Sequence, residues 1–236
     1  MHTKTDAVIL HVTPYDDKSI IVNLYTKTAG RIDCMTTRAS GKKSQYITAM
    51  LSPLNIVNVQ ISSKPAHTMG RLTAIETKHI NFRDDLARQC VRMYIAELLF
   101  RTLKQPLPET ELFNFIEQTI INIDSDINIA NIHLHFMLTL SAFMGFEPNL
   151  NAQGRFLDLE NGTITDARSS YQYCLNEHYT ELIRKMMTSE YKLAENVKMT
   201  REDRHFLIKN LELYYKLHIA DFDGMKSTDT LLQIFD

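Results

Sequence analysis

Hydrophobic and polar positions alternate along the first third of the chain. Val57, Val59 and Ile61 are separated by Asn58 and Gln60, the two-residue period of a half-buried strand. Ile20 to Tyr25 is more uniformly apolar, as in a central barrel strand. Six segments read as strands: Ala7–Val12, Ser19–Tyr25, Arg31–Thr36, Tyr46–Leu51, Asn55–Ile61 and Arg71–Glu76. Ala29-Gly30 breaks the pattern before Arg31 and predicts a tight turn with positive φ at the glycine. Short strands at such spacing favour a barrel or a sandwich. In about eighty residues a five-stranded barrel is the economical choice.

The period changes after Asn81. Leu86, Cys90, Tyr94 and Leu98, flanked by Val91, Ile95 and Leu99, form a wide stripe at helical spacing. Pro106 and Pro108 end that helix. Leu112 to Ile121 predicts a second helix, Ile129 to Met144 a third and Tyr171 to Met187 a fourth, with Leu175, Tyr179, Leu182 and Met186 on one face. Thr200-Arg201-Glu202-Asp203 resembles a capping box, with Asp at its last position, before a fifth helix reaching about Ile219. Its predicted stripe is Phe206, Leu207, Leu211, Tyr214 and Leu217. Within 154–166, two short strand-like runs flank Glu160-Asn161-Gly162, and Asn-Gly is the strongest short hairpin signal. The expected architecture is multi-domain α and β: a five-stranded barrel over 1–80, then an all-α domain over 81–236 with a small hairpin inserted at 154–166.

Composition adds an asymmetry. The chain of 236 residues is 44% hydrophobic and 23% charged, as in an ordinary globular protein, with a net charge of −2. Residues 1–80 carry ten basic and five acidic side chains, whereas the remainder carries sixteen and twenty-three. A basic half joined to an acidic half suggests a polyanion-binding module attached to something else. No run approaches the ~20 apolar residues of a membrane span, so no membrane partner is expected. Met1 to Asp6 is polar and leads straight into a strand, so no secretory signal is expected. Cys34, Cys90 and Cys174 are odd in number and widely spaced, which suits buried thiols in a reducing cytoplasm.

Motifs for catalysis are missing from the sequence. Gly41-Lys42-Lys43-Ser44 fails as a phosphate-binding loop, because Thr36 stands where the first glycine is needed and Lys43 where Ser or Thr is needed. Asp124 to Asn128 opens like a calcium loop, but Ile129 and His135 replace the turning Gly and the chelating Glu. His133 and His135 lie about 200° apart around a helix and cannot share a metal. Neither Gly-x-Ser-x-Gly nor His-Glu-x-x-His occurs. Asp16-Asp17 and Asp84-Asp85 read as turn and helix-start residues. No catalytic residue, metal ligand or cofactor is therefore expected.

What remains is a cationic barrel. Arg38 to Ser44 places three cations on one connection without an acid. Lys18, Lys42 and Lys43 suit phosphate contact as mobile point charges, and Arg31, Arg38 and Arg71 suit forked phosphate binding or stacking on bases. Tyr15, Tyr25 and Tyr46 are candidate stacking faces. Such binding tolerates any sequence and weakens steeply with salt.

Several phrases in order resemble the RecO family of bacterial recombination mediators. They are Val8-Ile9-Leu10-His11-Val12, Tyr15-Asp16-Asp17-Lys18-Ser19, Leu24-Tyr25-Thr26 with Gly30-Arg31, and the basic segment Ala39 to Ser44. Tyr94 to Leu99, Gly145 to Leu150, and His218-Ile219 followed by Met225-Lys226-Ser227 continue the likeness to the C-terminal region. The resemblance implies an N-terminal OB-fold, binding of single- and double-stranded DNA, and annealing of complementary strands. It implies partnership with RecR in loading RecA onto DNA coated by single-strand-binding protein, whose C-terminal tail the helical domain would recognise. It also implies a cytoplasmic, nucleoid-associated protein that is not an enzyme. An acidic tail ending in an apolar residue needs an apolar groove beside a cation, and Arg184, Lys185 and Lys209 are the candidates. One departure is clear. Many relatives carry a four-cysteine zinc site after the Gly-Phe-x-Pro phrase, but Asn151 to Asp166 contains no cysteine, so no zinc is expected and the hairpin takes over its organising role. Two other readings stand beside this one: a Mg²⁺-dependent nuclease and an RNA-binding OB-fold protein.

Overall fold

The computed structural model describes residues 2–38, 44–62, 69–80, 85–125, 127–166, 173–188 and 194–235. The chain divides into two compact units, Met1–Ser125 and Asp126–Asp236.

In the first unit, β1 (His2–Pro14), β2 (Ser19–Thr26), β3 (Gly30–Thr37), β4 (Ile56–Ser62) and β5 (Gly70–His79) close a barrel in the order β1-β2-β3-β5-β4. The long β1 pairs with β4 through its first half and with β2 through its second. A register shift between Ile9 and His11 bends it around the barrel. Closure is brief, with Cys34 opposite Gly70 and Met35 opposite Arg71 pairing β3 with β5 in parallel. A Cβ on Gly70 would lie 2.8 Å from the Ile61 side chain, so glycine permits that approach. Ala7, Ile9, Val22, Leu24, Cys34, Val57 and Val59 fill the interior.

The uniformly apolar β2 has a simple cause: both its faces are covered. Val22 and Leu24 point inward, while Tyr25 is buried outside the barrel against Phe113, ring centroids 6.3 Å apart. Phe113 lies on α3 (Thr110–Asp124), which follows α2 (Leu86–Thr102). The stripe on α2 buries Cys90, Val91, Tyr94, Ile95, Leu98 and Leu99, whereas Leu86 at its start is exposed. At the turn after β2, Gly30 has φ +65°, and a Cβ there would collide with the Leu107 backbone.

One strand expectation is corrected. Tyr46–Leu51 lies in a helix, α1 (Ser44–Met50), and its end. Ile47 and Leu51, one helical turn apart, pack against the barrel core, and Met50, which a strand would turn to the opposite face, is buried as well. Asn55 Nδ2 donates to the Ala49 carbonyl at 2.7 Å, satisfying the end of that helix.

In the second unit, α4 (Ile132–Phe143), α5 (Glu177–Met187), α6 (Arg201–His218) and α7 (Thr228–Ile234) accompany a small sheet of β6 (Phe156–Asp158), β7 (Thr163–Thr165) and β8 (Cys174–Leu175) in the order β7-β6-β8. The Asn161-Gly162 hairpin forms between β6 and β7, with Gly162 at φ +62°. Buried Asp158 organises the turn, accepting from Glu160 N at 2.9 Å and Asn161 Nδ2 at 2.6 Å. The fourth helix starts later than its apolar stripe predicts. Cys174–Leu175 form β8 on β6, and Asn176 caps α5 by accepting from Tyr179 N. The capping box at Thr200 and Asp203 is present in full. The buried stripe of α6 is rotated from expectation: Ile208 and Tyr215 are inside, while Phe206 and Leu217 are exposed. Phe146 stacks on His218 at 5.4 Å, so two phrases distant in sequence share one cluster.

Candidate nucleic-acid interface

The predicted DNA-binding cations separate into two groups. Lys18, Arg38 and Arg71 are exposed at one end of the barrel and form no ion pair among the described residues. Asp16 shapes the β1–β2 turn by accepting from Lys18 N at 2.7 Å and Ser19 N at 2.6 Å. Arg38 N donates to the Lys18 carbonyl at 2.6 Å, which joins that turn to the end of β3. Arg71, opposite Met35 on the closing seam, is nearby, because Met35 is two residues before Thr37, the partner of Ser19. Lys42 and Lys43 follow Arg38 in sequence but lie outside the described residues.

Arg31 belongs to the other group. Its side chain is only 11% exposed. The guanidinium lies 4.7 Å from the centroid of Phe100, donates through Nη1 to the Phe100 and Leu103 carbonyls at 3.2 Å, and pairs with Asp33 at 2.9 Å. It caps the C-terminal end of α2, where the helix dipole favours a cation. Buried Arg92 works similarly, reaching Asp124 at 2.9 Å and Asn55 Oδ1 at 3.0 Å, while His79 meets the same carboxylate at 2.7 Å. Lys78 sits between Asp6 at 2.7 Å and Glu117 at 2.8 Å. Burial opposes the Lys78 charge, but the two carboxylates outweigh it and raise its pKa. These cations attach α2 and α3 to the barrel and are not offered to a ligand.

The tyrosines divide likewise. Tyr25 is core, and burial pushes its hydroxyl up to about 12. Tyr15 and Tyr46 are exposed at 61% and 62%. Two hollows open beside the exposed arginines. One, of about 500 Å³, runs along the seam and is bounded by Ser19, Met35, Met69 and Arg71. The other, of about 370 Å³, lies at the barrel mouth beside Arg38 and α1. Sequence reasoning missed this mouth, because reading Tyr46–Leu51 as a strand places no helix there.

In the helical unit, Arg184 is held by the Leu150 carbonyl at 2.7 Å and Glu181 at 3.1 Å, whereas Lys185 and Lys209 are exposed. Phe206 is 38% exposed and stacks on Tyr179, ring centroids 3.9 Å apart, one turn before Lys209 on α6. Among the described residues no group of three or more His, Cys, Asp or Glu is placed to hold a metal, and no helix is long and apolar enough to cross a membrane.

A closed five-stranded barrel with a helix between its third and fourth strands is OB-like, and here it precedes a helical C-terminal region. Two family models match the chain: Recombination protein O N terminal over residues 1–81 and Recombination protein O C terminal over residues 83–228. The chain belongs to the RecO family. It is 29% identical over 243 residues to the DNA repair protein RecO of Bacteroides fragilis, covering 100% of both chains. It is 28% identical over 241 residues to that of Phocaeicola vulgatus, and 26% identical over 239 residues to that of Flavobacterium psychrophilum, again with 100% of both covered.

Proposed function

We propose that this protein is a recombinational DNA-repair mediator that binds single- and double-stranded DNA at the open end of its barrel and anneals complementary strands. The observation that carries the reading is the cluster of Lys18, Arg38 and Arg71, exposed and without ion pairs among the described residues, leading into the segment with Lys42 and Lys43. Membership of the RecO family supports the repair role. Annealing needs no acid, base or nucleophile. It needs repulsion between two phosphate backbones to be screened while the base edges remain free to pair. Flexible cations on a small barrel provide that screening without reading sequence. Arg31 is left out of the proposed interface, because its donors already serve the end of α2.

The acidic second unit, which repels phosphate, suits protein partners. On this reading it works in the cytoplasm at the nucleoid, with RecR, to load RecA onto DNA coated by single-strand-binding protein. The tail of that protein is assigned to the Tyr179–Phe206 face beside Lys209, with Lys185 and Arg184 as further candidates. The exposed aromatic surface next to a lysine supports this choice.

Strand annealing across a salt series tests the main reading, comparing the wild type with Arg38→Glu/Arg71→Glu and with Lys42→Glu/Lys43→Glu. The expected result is slower annealing and a shallower salt dependence in both variants, by about one unit of log–log slope for each phosphate that is no longer neutralised. Normal annealing with unchanged salt dependence would refute the interface.

A further inference from the structure

We propose that the mouth of the barrel holds one unstacked nucleobase of a single strand, with an adjoining phosphate on Arg38. This rests on the DNA-binding reading above and adds to it a subsite and a preference for single strands. The hollow of about 370 Å³ lies near the low end of small-molecule pockets, which run from roughly 300 to 1,000 Å³. That suits one nucleotide better than several. Its walls are aliphatic: Val12, Ile20, Ile47 and Leu51, with Pro14 and Pro53 at the sides. Ile20 and Leu51 belong to the barrel core yet retain 8% and 6% exposure, so the core itself opens here.

The polar lining matches a base and its backbone. Thr48 and Ser52 are exposed at the rim, where their hydroxyls can meet a base edge in either hydrogen-bonding sense. Arg38 closes the remaining side, and its backbone bond to Lys18 sets a second cation next to it. A flat base with apolar faces, a polar rim and a flanking negative charge complements each of these features. An apolar side chain next to a carboxylate would satisfy the walls and Arg38, but not the second cation, Lys18, that the strand pairing sets beside it. Bases in a duplex are stacked and paired, so entry would require flipping one out, at a cost of a few kcal/mol. The subsite therefore favours single strands.

The test uses an oligothymidylate containing one fluorescent purine analogue, and the same label placed within a duplex. Four variants are compared with the wild type: Thr48→Phe and Ser52→Phe, which fill the hollow from two sides, Thr48→Val, which preserves its volume, and Arg38→Glu/Arg71→Glu. The wild type and Thr48→Val should change the emission of the single strand. Both Phe variants should lose that change and bind the single strand roughly tenfold more weakly, with duplex affinity kept. If both Phe variants behave as wild type while Arg38→Glu/Arg71→Glu loses DNA, the base subsite is wrong and the interface stands. If the wild type binds neither single strand nor duplex, both readings fall. If filling the hollow abolishes binding only of an acidic peptide with an apolar C-terminus, the occupant is a protein tail and the proposal is overturned.

Discussion

The two units use charge in opposite ways. Residues 1–125 contain fifteen basic and twelve acidic side chains, and residues 126–236 eleven and sixteen. In the barrel unit Arg31, Arg88 and Arg92 turn inward and the exposed Lys78 is held by two carboxylates; together they join barrel strands, α2 and α3 through carbonyls and carboxylates. Only some of its positive charge remains for a ligand. In the helical unit, buried acids build local structure, with Asp158 closing a turn and Asp203 completing a capping box while accepting from His178 at 2.8 Å. A count of charges therefore overstates the binding surface of one unit and hides the structural work of acids in the other.

The inward cations of the barrel unit carry most of this contrast. Arg92→Ala leaves buried Asp124 with one fewer partner and should destabilise the barrel unit by about 3–5 kcal/mol, measured by denaturant unfolding. A decrease under about 1 kcal/mol would mean that the network does not fasten the helices.

The helical unit has its own probe in His133, whose pKa burial, aided by nearby Arg204, lowers to about 3. The unfolded state takes up this proton near pH 6.5 and the folded state only near 3, so stability falls as pH drops through that window. The expected slope is about 1.4 kcal/mol per pH unit, and His133→Leu should abolish it. An unchanged slope in the variant would assign the acid sensitivity elsewhere.

Arg31→Ala tests the sorting of cations directly. It should cost about 1.5–3 kcal/mol of stability, because the carbonyls at the end of α2 are left without their charged donor. Weakened DNA binding with an unchanged unfolding midpoint would move Arg31 to the outward group.

The smallest stability effect belongs to Arg38→Ala, under about 0.5 kcal/mol, since the side chain is exposed and unpaired among the described residues. Its signature is instead a lower salt slope of DNA binding, by about 0.9 for each phosphate it neutralises. A large stability decrease would place Arg38 among the inward cations.

Legibility in the sequence follows the range of the interactions. Five of the six strand segments and the Asn161-Gly162 hairpin are readable, because alternation and turn chemistry act within a few residues. The capping box at Thr200 is equally plain, since both its hydrogen bonds close over three positions. Tyr46–Leu51 misleads, because Ile47 and Leu51, four residues apart, share one face of a strand as well as of a helix, and the barrel decides between them. Rotation of the α6 stripe, with Tyr215 in and Phe206 out, is likewise set by its neighbours.

Local residue patterns are enough to specify a basic strand-rich region, an acidic helical one and the devices that start and stop their elements. The sequence also carried the family resemblance in ordered phrases. Tertiary structure alone decided which cations face solvent, because Arg31 and Arg38 are chemically identical until α2 presents its carbonyl groups to one and not to the other. It also made the hollow at the barrel mouth, where residues of β1 and β2 meet α1 in a contact that no local pattern encodes.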